Sequence, residues 1–72
     1  MKILLVTNDG PGFADYKEVR DGITVSQLFK QEMGNRDPSE FLVRVNREQV
    51  SADYQLEEGD RVTITPTNIE GA

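Results

Sequence analysis

Branched and apolar residues fall into short runs separated by turn-forming ones. Ile3-Leu4-Leu5-Val6, flanked by Lys2 and Thr7, predicts a first strand ending at about Asn8. Asn8-Asp9-Gly10-Pro11-Gly12 follows with dense turn chemistry. From Phe13 to Val19 the residues alternate, with Phe13, Asp15, Lys17 and Val19 on one side and Ala14, Tyr16 and Glu18 on the other. That period of two predicts a modest second strand, closing a hairpin before Asp21-Gly22.

The period then changes. Thr24 is a good N-cap, Gln27 stands three residues on as its capping-box partner, and Ile23 can staple onto Leu28. Val25, Leu28, Phe29 and Met33 share one face at helical spacing, and Gly34 suits the C-terminal position, so a helix is expected from Val25 to Met33 with its apolar stripe in the core. Asn35 to Ser39 is a polar connection in which Pro38 prevents helix continuation. In the strand expected over 41–46, Phe41, Val43 and Val45 face the core and Leu42, Arg44 and Asn46 face away. After a polar turn at 46–48, Gln49-Val50 reads as a short edge strand, and Leu56 anchors the loop beyond it. The acidic turn Glu57-Glu58-Gly59-Asp60 opens the last strand, 61–65, with Val62 and Ile64 inward and Arg61, Thr63 and Thr65 outward.

The order strand, strand, helix, strand, minor strand, strand describes an α+β layer, a mixed sheet of four or five strands with one helix on one face. This is the β-grasp order. Its last strand should lie parallel to and beside the first, since both apolar runs need neighbours on two sides. No linker or repeat divides the chain, which is read as one domain over 1–66 and a flexible C-terminal tail over 67–72.

Composition narrows the chemistry. A chain of 72 residues buries only about 60% of its unfolded surface, so a binding or carrier role is favoured over an elaborate active site. The absence of cysteine and histidine removes thiolate nucleophiles, imidazole bases and the usual zinc ligands. Four apolar residues near the start are too few for a signal core or a membrane span, and a cytoplasmic location is expected. A net charge of −5 argues against a nucleic-acid partner and favours a basic protein surface. The glycines at 10 and 12 precede no helical pattern and no Walker lysine, which leaves a plain turn rather than a phosphate cradle. Asp53, Glu57, Glu58 and Asp60 lack calcium-loop spacing and read as a solvated acidic turn.

Three segments carry a resemblance. Gly22-Ile23-Thr24-Val25-Ser26-Gln27-Leu28-Phe29, then Val43 to Val50 with its V-N-x-x-x-V pattern, then Leu56 to Ile64 with L-x-x-G-D-x-V-x-I, cover about the C-terminal two thirds. Together they resemble the ThiS/MoaD sulfur-carrier family of ubiquitin-like β-grasp proteins, with looser parallels in TGS domains. The resemblance implies a carrier, not an enzyme, free of catalytic residues and bound cofactor. A partner of the ubiquitin-activating type would use ATP to adenylate its C-terminus before sulfur replaces an oxygen, and the resemblance implies a cofactor-synthase subunit as a second partner. The free chain is expected to be a monomer. Family members end in Gly-Gly, whereas this chain ends Gly71-Ala72. The added methyl restricts φ where a glycine tail would thread a narrow channel.

Two site regions follow. The tail supplies Gly71, Ala72 and Ile69, the last of which either docks on an activating enzyme or folds against the domain. The sheet face turned from the helix is the other, since ubiquitin-like folds meet partners there. Leu42, Arg44, Arg61 and Thr63 fall on it by alternation, joined by Leu4 and Val6, which share the parity of Lys2. The alternative function is a diverged interaction module that binds through this face and whose tail is never activated.

Overall fold

In the computed structural model, residues 1–8 and 12–67 are described. The elements are β1 (Lys2–Thr7), β2 (Phe13–Glu18), α1 (Val25–Met33), a 3-10 turn (Pro38–Glu40), β3 (Phe41–Val45), β4 (Glu48–Gln49) and β5 (Arg61–Pro66). The five strands form one sheet in the order β2-β1-β5-β3-β4. As expected, β5 runs parallel to β1, with Leu5 beside Val62 and Thr7 beside Ile64. On its other side β5 is antiparallel to β3, with Val45 opposite Val62 and Val43 opposite Ile64. The last strand is therefore central, and α1, which lies in the chain between β2 and β3 on opposite sides of the β1–β5 pair, covers one face.

Alternation decides which side chains are buried. Ile3, Leu5, Val62 and Ile64 are fully enclosed and meet Val25, Leu28 and Phe29 of α1, with Ile23, Val45 and Leu56 in the same cluster. Phe41 closes one end, edge-on to Phe29 at 5.4 Å between ring centroids, with the Arg36 guanidinium 5.0 Å from its own ring. Val43 is half-buried against this core and not fully inside it.

Local chemistry sets the boundaries. Thr24 accepts from the Gln27 amide at 3.2 Å while its own amide donates to Gln27 Oε1 at 3.0 Å, a complete capping box. Gly34 ends α1 at φ 65°, its amide donating to the Lys30 carbonyl. Gly12 is fixed by crowding as well as by its φ of 73°, because a Cβ there would lie 2.7 Å from the Thr7 carbonyl oxygen. Several boundaries differ from the sequence reading: β2 ends at Glu18 and not Val19, β3 ends at Val45 and not Asn46, and β5 runs one residue further, to Pro66. The minor strand is Glu48–Gln49, one residue early, because Asn46 and Arg47 at φ 53° and 72° make a two-residue hairpin turn that leaves Val45 opposite Glu48. Val50 lies beyond the strand, half-buried against the core. The polar connection also contains a 3-10 turn, whose N-cap Asp37 accepts from the Ser39 amide at 3.0 Å and its hydroxyl at 2.9 Å.

Candidate functional site

The face of the sheet opposite α1 is uncovered by any described element, and the strand registers fix what stands on it. One row runs Tyr16, Leu4, Arg61. The next runs Ala14, Val6, Thr63, Arg44, Gln49, and a third sets Thr65 beside Leu42. All six sequence-selected residues, Leu4, Val6, Leu42, Arg44, Arg61 and Thr63, therefore share this face. Leu4, Val6, Leu42 and Thr63 are half-buried among their neighbours, while Arg44 and Arg61 are exposed. Ile3 and Leu5 point the other way into the core, as the parity of Lys2 implies.

The face combines apolar side chains with cations. Among the described residues, ion pairs join the N-terminal ammonium to Glu18 and Asp21, both at 3.3 Å, and Lys17 to Glu32 at 3.4 Å. Arg44 and Arg61 take part in none of them. They give a local positive patch on a chain of net charge −5, suited to an apolar partner surface rimmed with carboxylates. Tyr16, 63% exposed, is the large side chain that the sequence reading left off this face. The antiparallel register of β1 and β2 sets it opposite Leu4, on the face that Leu4 and Val6 share.

Asp60 departs from its expectation. It is buried instead of belonging to a solvated acidic turn. Its carboxylate accepts from Asn46 Nδ2 at 2.9 Å, the Glu57 amide at 2.9 Å and the Tyr54 hydroxyl at 3.4 Å. Asn46 Oδ1 in turn accepts from the Arg61 amide at 3.0 Å, and the Asp60 carbonyl accepts from the Leu4 amide at 2.9 Å. This network ties the β3–β4 turn, the loop before β5 and the first residue of β5 to β1. Partial burial, and then the negative charges of Asp60 and Glu57, push the Tyr54 phenol above its ordinary pKa. Glu57 and Glu58 are exposed, and Glu58 accepts from the Lys2 amide at 3.0 Å. Among the described residues no three carboxylates or other ligand side chains gather to hold a metal ion.

The second candidate region begins where β5 ends. Pro66 pairs with Phe41, and the Thr67 amide donates to the Glu40 carbonyl at 2.9 Å. The chain thus leaves the sheet from the central strand, at the end where Thr7 and Phe41 lie. Ile69, Gly71 and Ala72 lie outside the described residues. No described helix is long and apolar enough to cross a membrane.

Comparison with known proteins fits this architecture. No curated protein matches the chain. Among solved structures it is similar to a ubiquitin-like protein from the hyperthermophilic archaeon Caldiarchaeum subterraneum, with a TM-score of 0.71 and 18% identity over 96% of this chain and 99% of that one. It is likewise similar to a Caldiarchaeum subterraneum ubiquitin, with a TM-score of 0.72 and 19% identity over 99% of this chain and 98% of that one. These likenesses establish the fold, a ubiquitin-like β-grasp. The model of the ThiS family matches residues 9–67, and so the chain belongs to the ThiS family.

Proposed function

We propose that this chain is a sulfur carrier, a protein substrate whose C-terminal carboxylate is activated and converted to a thiocarboxylate by a partner enzyme. The family match over 9–67 is the observation that carries this reading, because the tail follows directly from the segment it covers. In the proposed sequence a carboxylate oxygen attacks the α-phosphorus of ATP and the bond to pyrophosphate breaks, leaving an acyl adenylate. A sulfide-level nucleophile then adds at the acyl carbon and AMP departs. This chain contributes the acyl group and a docking surface; ATP is consumed at the partner's site, and the chain itself is not an enzyme and needs no cofactor. The thiocarboxylate would pass its sulfur on to a cofactor-synthase subunit or a similar acceptor, in a cytoplasmic setting.

Mixing the chain with an adenylating enzyme of the ubiquitin-activating type, ATP and labelled pyrophosphate tests the first step. Exchange of label into ATP that depends on this chain supports it; no exchange, with Ala72→Gly active in parallel, removes the native tail from this chemistry.

The open sheet face, with Tyr16 exposed beside Leu4 and Val6 and with two arginines that form no ion pair among the described residues, favours a second reading. In it the chain is an interaction module with a non-activated tail. Removing residues 68–72 separates the two: retained partner binding with retained biological activity supports the module, and loss of activity with retained binding supports the carrier.

A further inference from the structure

We propose that the free edge of β2 is a self-association site, at which a second copy of this chain adds antiparallel across a two-fold axis at Tyr16. β2 is the outer strand next to β1, and no described residue pairs with its far side. The inner side is fixed by the Met1 and Val19 pair, which exchange two backbone hydrogen bonds of 2.8 Å. Narrow pairs then alternate, so Lys17, Asp15 and Phe13 bond toward β1 while Glu18, Tyr16 and Ala14 direct their backbone groups outward.

Only registers that oppose outward-facing residues can form hydrogen bonds across the edge, and the charges on β2 select among them. A two-fold axis at Asp15 sets Asp15 against its own copy, and one at Lys17 sets Lys17 against its own copy; like charges directly opposite are unfavourable. With the axis at Ala14, only a short stretch of β2 overlaps. At Tyr16 the strand is self-complementary: Asp15 faces Lys17 of the second copy twice, Phe13 faces Val19, Ala14 faces Glu18, and the two Tyr16 rings meet on the open face. The exposed aromatics agree, since Tyr16 is 63% and Phe13 49% accessible.

One contact marks the uncombined state of this edge. The Tyr16 amide, which would donate to the second copy, donates to the Asp15 carboxylate of its own chain at 2.8 Å. In the pair, Asp15 turns to the facing Lys17, whose ammonium, 3.4 Å from Glu32 of its own chain, is then shared between the two carboxylates, and releases that amide to the Tyr16 carbonyl across the axis. Asp15 thus blunts the lone edge and rewards the correct pairing. Six-residue strands bury little surface, so the association is weak and concentration-dependent, replacing the expected monomer with a monomer–dimer equilibrium.

Sedimentation of the full chain across a concentration series tests this. The wild type is expected to shift from monomer to dimer toward millimolar concentration. Asp15→Lys and Lys17→Asp, each setting like charges opposite, should each weaken self-association by on the order of tenfold. Mixing the two variants should restore it, because each then faces the opposite charge. Circular dichroism melts confirm that both variants are folded. If the wild type stays monomeric at millimolar concentration, or if dimers persist unchanged in both single variants, the proposal fails. A dimer lost instead on Leu4→Ala would assign association to the open face.

Discussion

Replacing Asp60 by alanine tests the hydrogen-bond network that ties the loop before β5 to the β3–β4 turn. The change removes the acceptor for the Asn46 amide nitrogen, the Glu57 backbone amide and the Tyr54 hydroxyl; Asp60 itself is 7% exposed, whereas Asn46 and Glu57 are exposed and Tyr54 half-buried, so water reaches part of what is left. Hydrogen bonds to charged groups contribute about 1.5–3 kcal/mol each, but water and relaxation recover part of three lost together, so the expected cost is about 3 kcal/mol. A domain of this length has a stability of roughly 4–11 kcal/mol, so the variant should remain folded but lose much of its margin. At about 4–8 °C per kcal/mol, the melting temperature should fall by roughly 12–24 °C. Urea unfolding measures the loss directly, with an unchanged slope confirming that the same structure unfolds. Glu58→Ala, in the same acidic run but exposed, should cost under about 0.5 kcal/mol. A double-mutant cycle with Asn46→Ala should return a coupling of about 1 kcal/mol or more. If Asp60→Ala is within about 0.5 kcal/mol of the wild type, the network does not hold the β5 entrance and the argument for Asp60 is wrong.

Three further outcomes follow from local geometry. Thr24→Ala should lower stability by about 1 kcal/mol in the same unfolding assay, by opening the capping box on α1. Arg47→Gly should raise it by about 0.5 kcal/mol, because a non-glycine residue at φ 72° carries a left-handed penalty that exceeds the added backbone entropy of glycine. The backbone amide and then the hydroxyl of Ser39 hold the Asp37 carboxyl below its ordinary value of 3.8. Its contribution to stability is therefore present above pH 3.8 and lost as pH falls through the lowered folded value. In an NMR titration the Asp37 midpoint should lie below 3.8 and move back upward in Ser39→Ala.

Much of this fold is legible in the sequence because local signals and tertiary demand agree. The Thr24 and Gln27 pair marks a helix start that packing also requires, and the two apolar runs at 3–6 and 62–64 need the central, adjacent places they occupy. β2 was harder. Its two sides, Phe13-Asp15-Lys17 and Ala14-Tyr16-Glu18, differ little in hydrophobicity, since an edge strand buries neither deeply, so alternation alone does not say which side joins the open face. Asp60 departs from the sequence expectation for a different reason. In sequence it is one of several acids around a glycine turn, and its burial depends on Asn46, brought from another hairpin by the left-handed turn at 46–47. The β4 boundary shifted by one residue through the same turn, whose positive φ values sit on Asn46 and Arg47 without the glycine that usually signals them. The open face was legible because alternation alone assigns it once β5 is central. The tail residues Ile69, Gly71 and Ala72 lie beyond the described strand, and their part in the account rests on chemistry.

That chemistry has one decisive readout. Incubated with ATP, an adenylating enzyme of the ubiquitin-activating type and a sulfur donor, the chain should gain the mass difference of one sulfur replacing one oxygen, located by fragmentation at its C-terminal residue. Ala72→Gly should react at least as fast, since it removes the methyl that restricts the tail. An unchanged mass for the native chain, while Ala72→Gly is converted under the same conditions, would contradict the carrier function.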